Sequence, residues 1–266
     1  MATLSILELT KKFNSLVAVD GMTLSVEEGE VFGLLGRNGA GKTTAIKMLT
    51  TLLPPTSGSA KVAGYDIVRE SAQVRRMIGY VPQELSADGE LSGYENLLVF
   101  AQLYDIPGAR QKALVRQSLE SIGLKDAADR LVRSYSGGMI RRLEIAQSTM
   151  HRPRILFLDE PTVGLDPVAR EEVWAHIERL VADFRSTVFL TTHYMEEADR
   201  LCDRVAIMHR GKIAAMGTPD ALKSGIGGNE ETPLDTVFIH YTGGVPEQEG
   251  GYDDAAAKRH IASRLG

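Results

Sequence analysis

Cysteine is almost absent from this chain. Cys202 is the only one in 266 residues, which excludes an internal disulfide framework and fits a reducing compartment. It lies in an amphipathic helical stretch beside Leu201, where core packing is the expected role. Aromatic residues are scarce too, at 6%. No apolar run approaches the roughly 18 residues needed to span a bilayer. Met1 to Glu8 places no basic region ahead of an apolar stretch, so no signal peptide is expected. Positive charge is in deficit: the net charge of -5 argues against bulk attraction to nucleic acid or anionic lipid, and no nucleic-acid partner is expected. Together these absences place the chain in the cytoplasm, reaching a membrane only through a partner.

Hydrophobic residues, at 43%, are sufficient for a substantial core. The length sits at the upper edge of one domain, so one domain with an inserted subdomain is the expectation. The N-terminal part reads as short strands separated by turns. Leu24 and Val26 alternate with Thr23, Ser25 and Glu27 after an Asp20-Gly21 turn signal. Val31-Phe32-Gly33-Leu34-Leu35 is a continuous apolar run, as in a strand buried on both faces. After a glycine-rich turn, Ile46, Leu49 and Leu53 recur at helical spacing within Lys42 to Leu53.

Met77 to Val81 reads as a strand stopped by Pro82. From Glu95 to Ser134 the pattern turns helical, with Val115, Leu119 and Ile122 on one face and Gly123 as the stop. Strand character returns at Ile155 to Leu158 and Thr187 to Thr191, separated by a helix marked by Val173, Ile177, Leu180 and Phe184. Strands alternating with helices predict an α/β fold with a largely parallel sheet, and the helical block over 93–152 reads as an insertion. Beyond Gly225 the chain becomes polar and glycine-rich, in Gly227 to Glu231 and Gly243 to Asp254, around an apolar island at Val237-Phe238-Ile239. A loosely attached tail over 226–266 is expected there.

Three segments carry chemistry. Gly36-Arg37-Asn38-Gly39-Ala40-Gly41-Lys42-Thr43, with Thr44 following, fits G-x-x-x-x-G-K-[ST] between a strand and a helix. Its glycines let successive N–H groups face a phosphate, and the helix N-terminus adds its positive end. Lys42 is expected on the β- and γ-phosphates of ATP and the Thr43 hydroxyl on Mg²⁺. Ile155 to Leu158 then delivers Asp159 and Glu160 to the C-terminal edge of the sheet, where α/β folds bind ligands. Asp159 there can hold the metal through its water shell and Glu160 can polarise an attacking water. Finally, Tyr135-Ser136-Gly137-Gly138-Met139 opens a helix with Leu143, Ala146 and Met150. Ser136, Gly137 and Gly138 make a second anion-binding helix start, and one nucleotide in one chain needs only one. Each of two copies therefore lends this turn to the ATP of the other.

In this order the motifs resemble the nucleotide-binding subunits of ATP-binding cassette (ABC) transporters, from about Leu4 to Leu222. The resemblance implies a P-loop NTPase (RecA-like) core with an antiparallel β subdomain and an inserted α-helical subdomain, the ATPase domain occupying residues 1–225. It implies that Asp166, in Pro161-Thr162-Val163-Gly164-Leu165-Asp166-Pro167, couples two copies. His193, at the end of the Thr187 to Thr192 strand, takes the role of a switch histidine that contacts the γ-phosphate beside Glu160. Gln83 joins Mg²⁺ and senses the membrane partner, and Phe13 stacks on adenine. The implied partners are a second copy of the chain and integral membrane permease subunits facing Arg75, Arg76 and Tyr94 to Leu97. The implied activity is ATP hydrolysis coupled to transport.

Two departures stand out. The family most often has Leu and Gln where Tyr135 and Met139 stand. Pro233 to Phe238 resembles a segment near the end of drug-efflux ATPases of the daunorubicin-resistance type, but follows Gly225 after a shortened stretch; Arg141-Arg142-Leu143-Glu144 also resembles that branch. An importer ATPase, a soluble ABC ATPase acting on ribosomes or DNA, and a nucleotide-gated module with negligible turnover are the competing readings.

Overall fold

The computed structural model describes residues 2–243, apart from the side chain of residue 184. Two long antiparallel strands open it, β1 (Ala2–Phe13) and β2 (Leu16–Glu27), in place of the expected series of short ones. Asp20-Gly21 is not a turn. Gly21, at φ 63°, lies inside β2 where the register shifts between Leu9↔Met22 and Lys11↔Val19, and its N–H donates to the Thr10 hydroxyl. The left-handed freedom of glycine is used here for a bulge, and Val19, Met22, Leu24 and Val26 stay buried along one strand.

All five residues of β3 (Val31–Leu35) are buried. Phe32 and Leu34 pack on one face of the sheet, Val31 and Leu35 on the other, which is why the strand shows no polar alternation. The helix after the glycine-rich turn, α1 (Lys42–Leu49), stops short of Leu53. Thr50 bends its hydroxyl back to the Ile46 carbonyl, and Thr51 turns left-handed at φ 65°. Next come β4 (Ser57–Val62) and β5 (Tyr65–Asp66), which complete an antiparallel sheet of order β2-β1-β4-β5.

After α2 (Ser71–Met77) and β6 (Ile78–Val81) the helical block follows: α3 (Gly93–Leu103), α4 (Gly108–Ser121), two 3₁₀ turns and α5 (Gly137–Thr149). Ser92 and Glu95 form a capping box on α3. Leu97, Val115, Leu119, Ile122 and Leu143 give the block an apolar core of its own. Tyr135 belongs to it: its hydroxyl donates to the Ala127 carbonyl at 2.7 Å, so the departure at this position anchors the turn before α5 to the block.

The remainder is β7 (Ile155–Asp159), α6 (Pro167–Phe184), β8 (Thr187–Thr192), α7 (Met195–Leu201), β9 (Arg204–His209), β10 (Lys212–Gly217), α8 (Pro219–Gly225) and α9 (Leu234–Thr242). No strand is expected from the sequence over 204–217, yet the structure forms a hairpin there. The main sheet has the order β10-β9-β3-β8-β7-β6, parallel from β9 to β6 with β10 antiparallel at the edge. Cys202 is buried, with its Sγ facing Gly33, as its packing role requires.

The expected loose tail needs correction over α9. Leu234, Val237 and Phe238 are buried at the i, i+3, i+4 spacing of one helical face and join the core under α6 and α7. Burial of this stripe docks the helix. Residues 244–254 of the expected polar stretch lie outside the described residues. Among the described residues, no helix is long and apolar enough to cross a membrane.

Candidate active site

Every strand of the parallel core ends on the same edge, and β3, β7 and β8 deliver the chemistry to it. The turn from β3 into α1 is held from behind: Gly36 N–H donates to the Thr192 carbonyl, and a side chain at residue 36 would meet the Met208 carbonyl at 2.6 Å. Gly41 has φ 111° and its missing Cβ would lie 2.2 Å from the Ala18 carbonyl, so only glycine fits. No side chain caps α1. Its first N–H groups are therefore open to an anion.

The turn lines a cleft of about 510 Å³. The cleft is lined by Asn38 to Thr44, by Gln83 and Glu160, and by Phe13, Leu16, Val17 and Ala18. Phe13 is 43% exposed, with the Lys11 ammonium 5.2 Å from its ring centroid. An aromatic ring left open at the rim is a stacking surface, not a core residue. Gly36 and Arg37 sit beneath the cleft, where their carbonyls accept from Lys42 Nζ at 2.7 and 3.3 Å.

Asp159 and Glu160, adjacent in sequence, meet different surroundings. Asp159 is 1% exposed and its Oδ1 accepts from Thr191 Oγ1 at 2.6 Å and Thr43 Oγ1 at 3.3 Å. Its Oδ2 has no hydrogen-bond partner. Burial pushes the Asp159 carboxyl up, against the two hydroxyl donors. Glu160 has φ 49°, a left-handed conformation that β-strand residues avoid, stabilised by its N–H donating to the carbonyl and hydroxyl of Thr191. The reversal turns its side chain into the cleft. Oε1 pairs with Lys42 Nζ at 2.9 Å, and Oε2 meets His193 Nδ1 at 3.1 Å and Gln83 Nε2 at 3.5 Å. Burial alone raises its pKa, but the His193 bond and the Lys42 charge outweigh it and hold Glu160 below its ordinary value. It is ionised at neutral pH.

Six of the expected residues thus converge within one hydrogen-bonded cluster: Lys42, Thr43 with Asp159, and Gln83 and His193 around Glu160. Ser136, Gly137, Gly138 and Asp166 do not line this cleft. They gather elsewhere, where α5 and α6 begin side by side. A Cβ on Gly138 would meet that of Ala169 at 2.7 Å, and one on Gly137 would meet Leu165 at 3.1 Å. Ser136 caps α5 by accepting from Met139 N–H, and Asp166 caps α6 by accepting from Ala169 N–H. Ser136 and Asp166 are both exposed. The turn thus presents Ser136 to solvent while Gly138 is buried against Ala169.

The geometry so far is that of a phosphate cradle facing a strained carboxylate. Comparison decides the family: the ABC transporter profile matches residues 19–163. The chain belongs to the ABC transporter family. This ABC subunit binds and hydrolyses ATP. It is 48% identical over 221 residues to the daunorubicin/doxorubicin resistance ATP-binding protein DrrA of Streptomyces peucetius, covering 83% of the chain and 67% of that protein. It is 40% identical to the linearmycin resistance ATP-binding protein LnrL of Bacillus subtilis, over 90% of the chain and 75% of that protein. Among solved structures, an ATP-binding subunit of an ABC transporter superposes with a TM-score of 0.79 at 27% identity, covering 90% of this chain and 99% of that one.

Three groups of the ABC subunit's site escape sequence reasoning. Thr191, one residue from the end of a buried strand, holds both Asp159 and the Glu160 backbone; a polar residue ending an apolar run was its only signal. Arg141 and Glu144 form a buried pair at 3.0 Å on α5, and Arg141 donates to the Pro82 and Gln83 carbonyls at 2.7 Å each, while Glu144 accepts from Ser86 and Ala87 N–H. An i,i+3 charge pair ordinarily reads as solvated. Arg210 and Gly211, in the β9–β10 turn, complete the cleft wall, with Gly211 N–H donating to the Ala40 carbonyl at 2.9 Å.

Proposed function

We propose that this ABC subunit powers an exporter, two copies closing on two ATP molecules and pulling on separately encoded membrane permease subunits. The observation that carries it is the turn that opens α5, whose exposed Ser136 lies outside the chain's own cleft near the equally exposed Asp166. A helix start on the surface, with a serine hydroxyl at its cap, suits the phosphates of a neighbour's nucleotide. Residues 1–225 form the ATPase unit in this reading, with the helical block over 93–152 facing the permease. The subunit then sits at the inner face of the cell membrane. The daunorubicin/doxorubicin and linearmycin resistance relatives support a cargo that is a drug, an antibiotic or another hydrophobic compound.

Within one cleft, Phe13 stacks on adenine, the N–H groups of residues 36–44 hold the phosphates, and Lys42 leaves Glu160 for the β- and γ-phosphates. The unpartnered Oδ2 of Asp159 beside the Thr43 hydroxyl fits a hydrated Mg²⁺, with Gln83 as a further ligand. When bound, the ion neutralises charge on the phosphates. Glu160, kept ionised, orients the attacking water, and His193 holds Glu160 while reaching the γ-phosphate. Positioning and charge neutralisation provide most of the acceleration. Size-exclusion chromatography of the Glu160→Gln protein with ATP tests the closed pair: a dimer is expected, and a monomer at saturating ATP refutes it.

A further inference from the structure

Glu197 has no place in the chemistry described so far, yet it is the most enclosed carboxylate in the site's surroundings, at 0% exposure. It lies in the first turn of α7, whose N-cap Tyr194 directly follows His193. Its Oε1 accepts from Thr162 Oγ1 at 2.7 Å and from Trp174 Nε1 at 2.9 Å. Thr162 belongs to the short segment between Glu160 and Asp166, and Trp174 to α6, which that segment enters. Three pieces of chain therefore meet at one oxygen: the segment after Glu160, the helix capped by Asp166, and the helix that follows His193. The outer face of Trp174 is closed by the Arg200 guanidinium 5.0 Å away, itself paired with Glu171 and Glu178.

Oε2 of Glu197 makes no hydrogen bond of good geometry, although the Thr192 hydroxyl lies close enough to pull on the carboxyl. A buried acid with an unpaired oxygen is a poor device for stability alone. Burial pushes its carboxyl up, toward the neutral form, against the pull of its donors. With both donors converging on Oε1, the carboxyl pins the three pieces of chain at one point.

We propose that Glu197 is a positioning residue for hydrolysis, fixing the Glu160–Asp166 segment and the His193-bearing strand end relative to one another through Thr162 and Trp174. This rests on the assignment of Glu160 and His193 to the reaction. Glu197 touches no substrate; it holds the two elements whose side chains meet at 3.1 Å.

The test uses the full chain with Glu197→Gln, Glu197→Leu and Thr162→Val, measuring phosphate release and ATP KM. Trp174 is the only tryptophan, so intrinsic fluorescence reports the junction directly. Glu197→Gln retains a carbonyl acceptor for both donors, so it is expected to keep near-normal kcat. Glu197→Leu is expected to lower kcat about ten- to hundredfold with little change in KM, since small misplacements of reacting groups cost that much. Its Trp174 emission shifts as the indole loses its acceptor. Should Glu197→Leu fail to fold, Thr162→Val, which removes one donor, carries the same expectation of lower kcat at constant KM. Normal kcat in Thr162→Val or Glu197→Leu overturns the proposal, as does a Gln variant no better than the Leu one. Full activity in Glu160→Gln would instead sink the underlying assignment, whatever Glu197 does.

Discussion

Replacing Glu160 by Gln keeps the size of the side chain and removes its charge, and the structure predicts three separable consequences. The first is kinetic. Loss of a water-orienting carboxylate costs roughly 10²–10⁴-fold in kcat, or about 3–5 kcal/mol in the barrier. The second concerns Lys42. In the free protein its ammonium pairs with Glu160 Oε1 at 2.9 Å, both side chains 5% exposed or less. Breaking a buried pair typically costs about 3–5 kcal/mol. Here Lys42 retains the Gly36 and Arg37 carbonyls as acceptors, so a smaller loss of about 1–3 kcal/mol is expected. In a chain of this size each kcal/mol lowers Tm by roughly 2–4 °C. The third follows from the second. ATP must displace Glu160 from Lys42 in the native protein but not in the variant, so nucleotide binds at least as tightly. Phosphate release, differential scanning fluorimetry with and without ATP, and equilibrium binding of a fluorescent ATP analogue measure all three. A variant with kcat within tenfold of the native value refutes the role of Glu160. Weaker ATP binding refutes the competition for Lys42.

Lys42→Ala removes the ammonium that lines the cleft among the described residues, and ATP affinity is expected to fall at least tenfold, worth about 1.4 kcal/mol, by isothermal titration; unchanged affinity removes Lys42 from the phosphates. Ser136→Ala leaves the chain's own cleft intact, so nucleotide binding by the monomer should persist while ATP hydrolysis and ATP-dependent pairing both decline; hydrolysis at the native rate counts against the shared site. His176, 3% exposed with both ring nitrogens unpartnered, titrates at about 4 because burial, and then Arg179 and Arg142, disfavour its charged form. The unfolded chain binds that proton near 6.5, so the stability is whole above this pH, drains as pH falls towards about 4 and then levels, a loss of roughly 3 kcal/mol. Urea unfolding at pH 7 and 4.5 should show a shallower pH dependence for His176→Leu; an identical slope contradicts this account.

The phosphate cradle was legible because its requirements are local. A strand, three glycines, a lysine and a helix must be consecutive for backbone N–H groups to face one anion, so the order of residues 31–53 carries the information. The same holds for the parallel core, since β7 and β8 announce themselves as apolar runs that end in Asp159 and Thr192. Where local signals admitted two outcomes, tertiary structure chose. Asp20-Gly21 could support a turn or a bulge, and pairing of β2 with the whole of β1 made it a bulge. The island at Val237 could drift or dock, and an open apolar surface beside α7 docked it. Nothing local distinguishes Arg141, Glu144 and Glu197 from solvated helix charges; the fold buries them at 1%, 3% and 0% exposure. Burial converts a charge from surface decoration into a constraint, and burial is a property of the assembled chain. The sequence by itself determined which groups could hold a nucleotide; the tertiary structure decided which of them meet, because contacts between Lys42, Glu160 and His193 exist only once three separate strands end at a common edge.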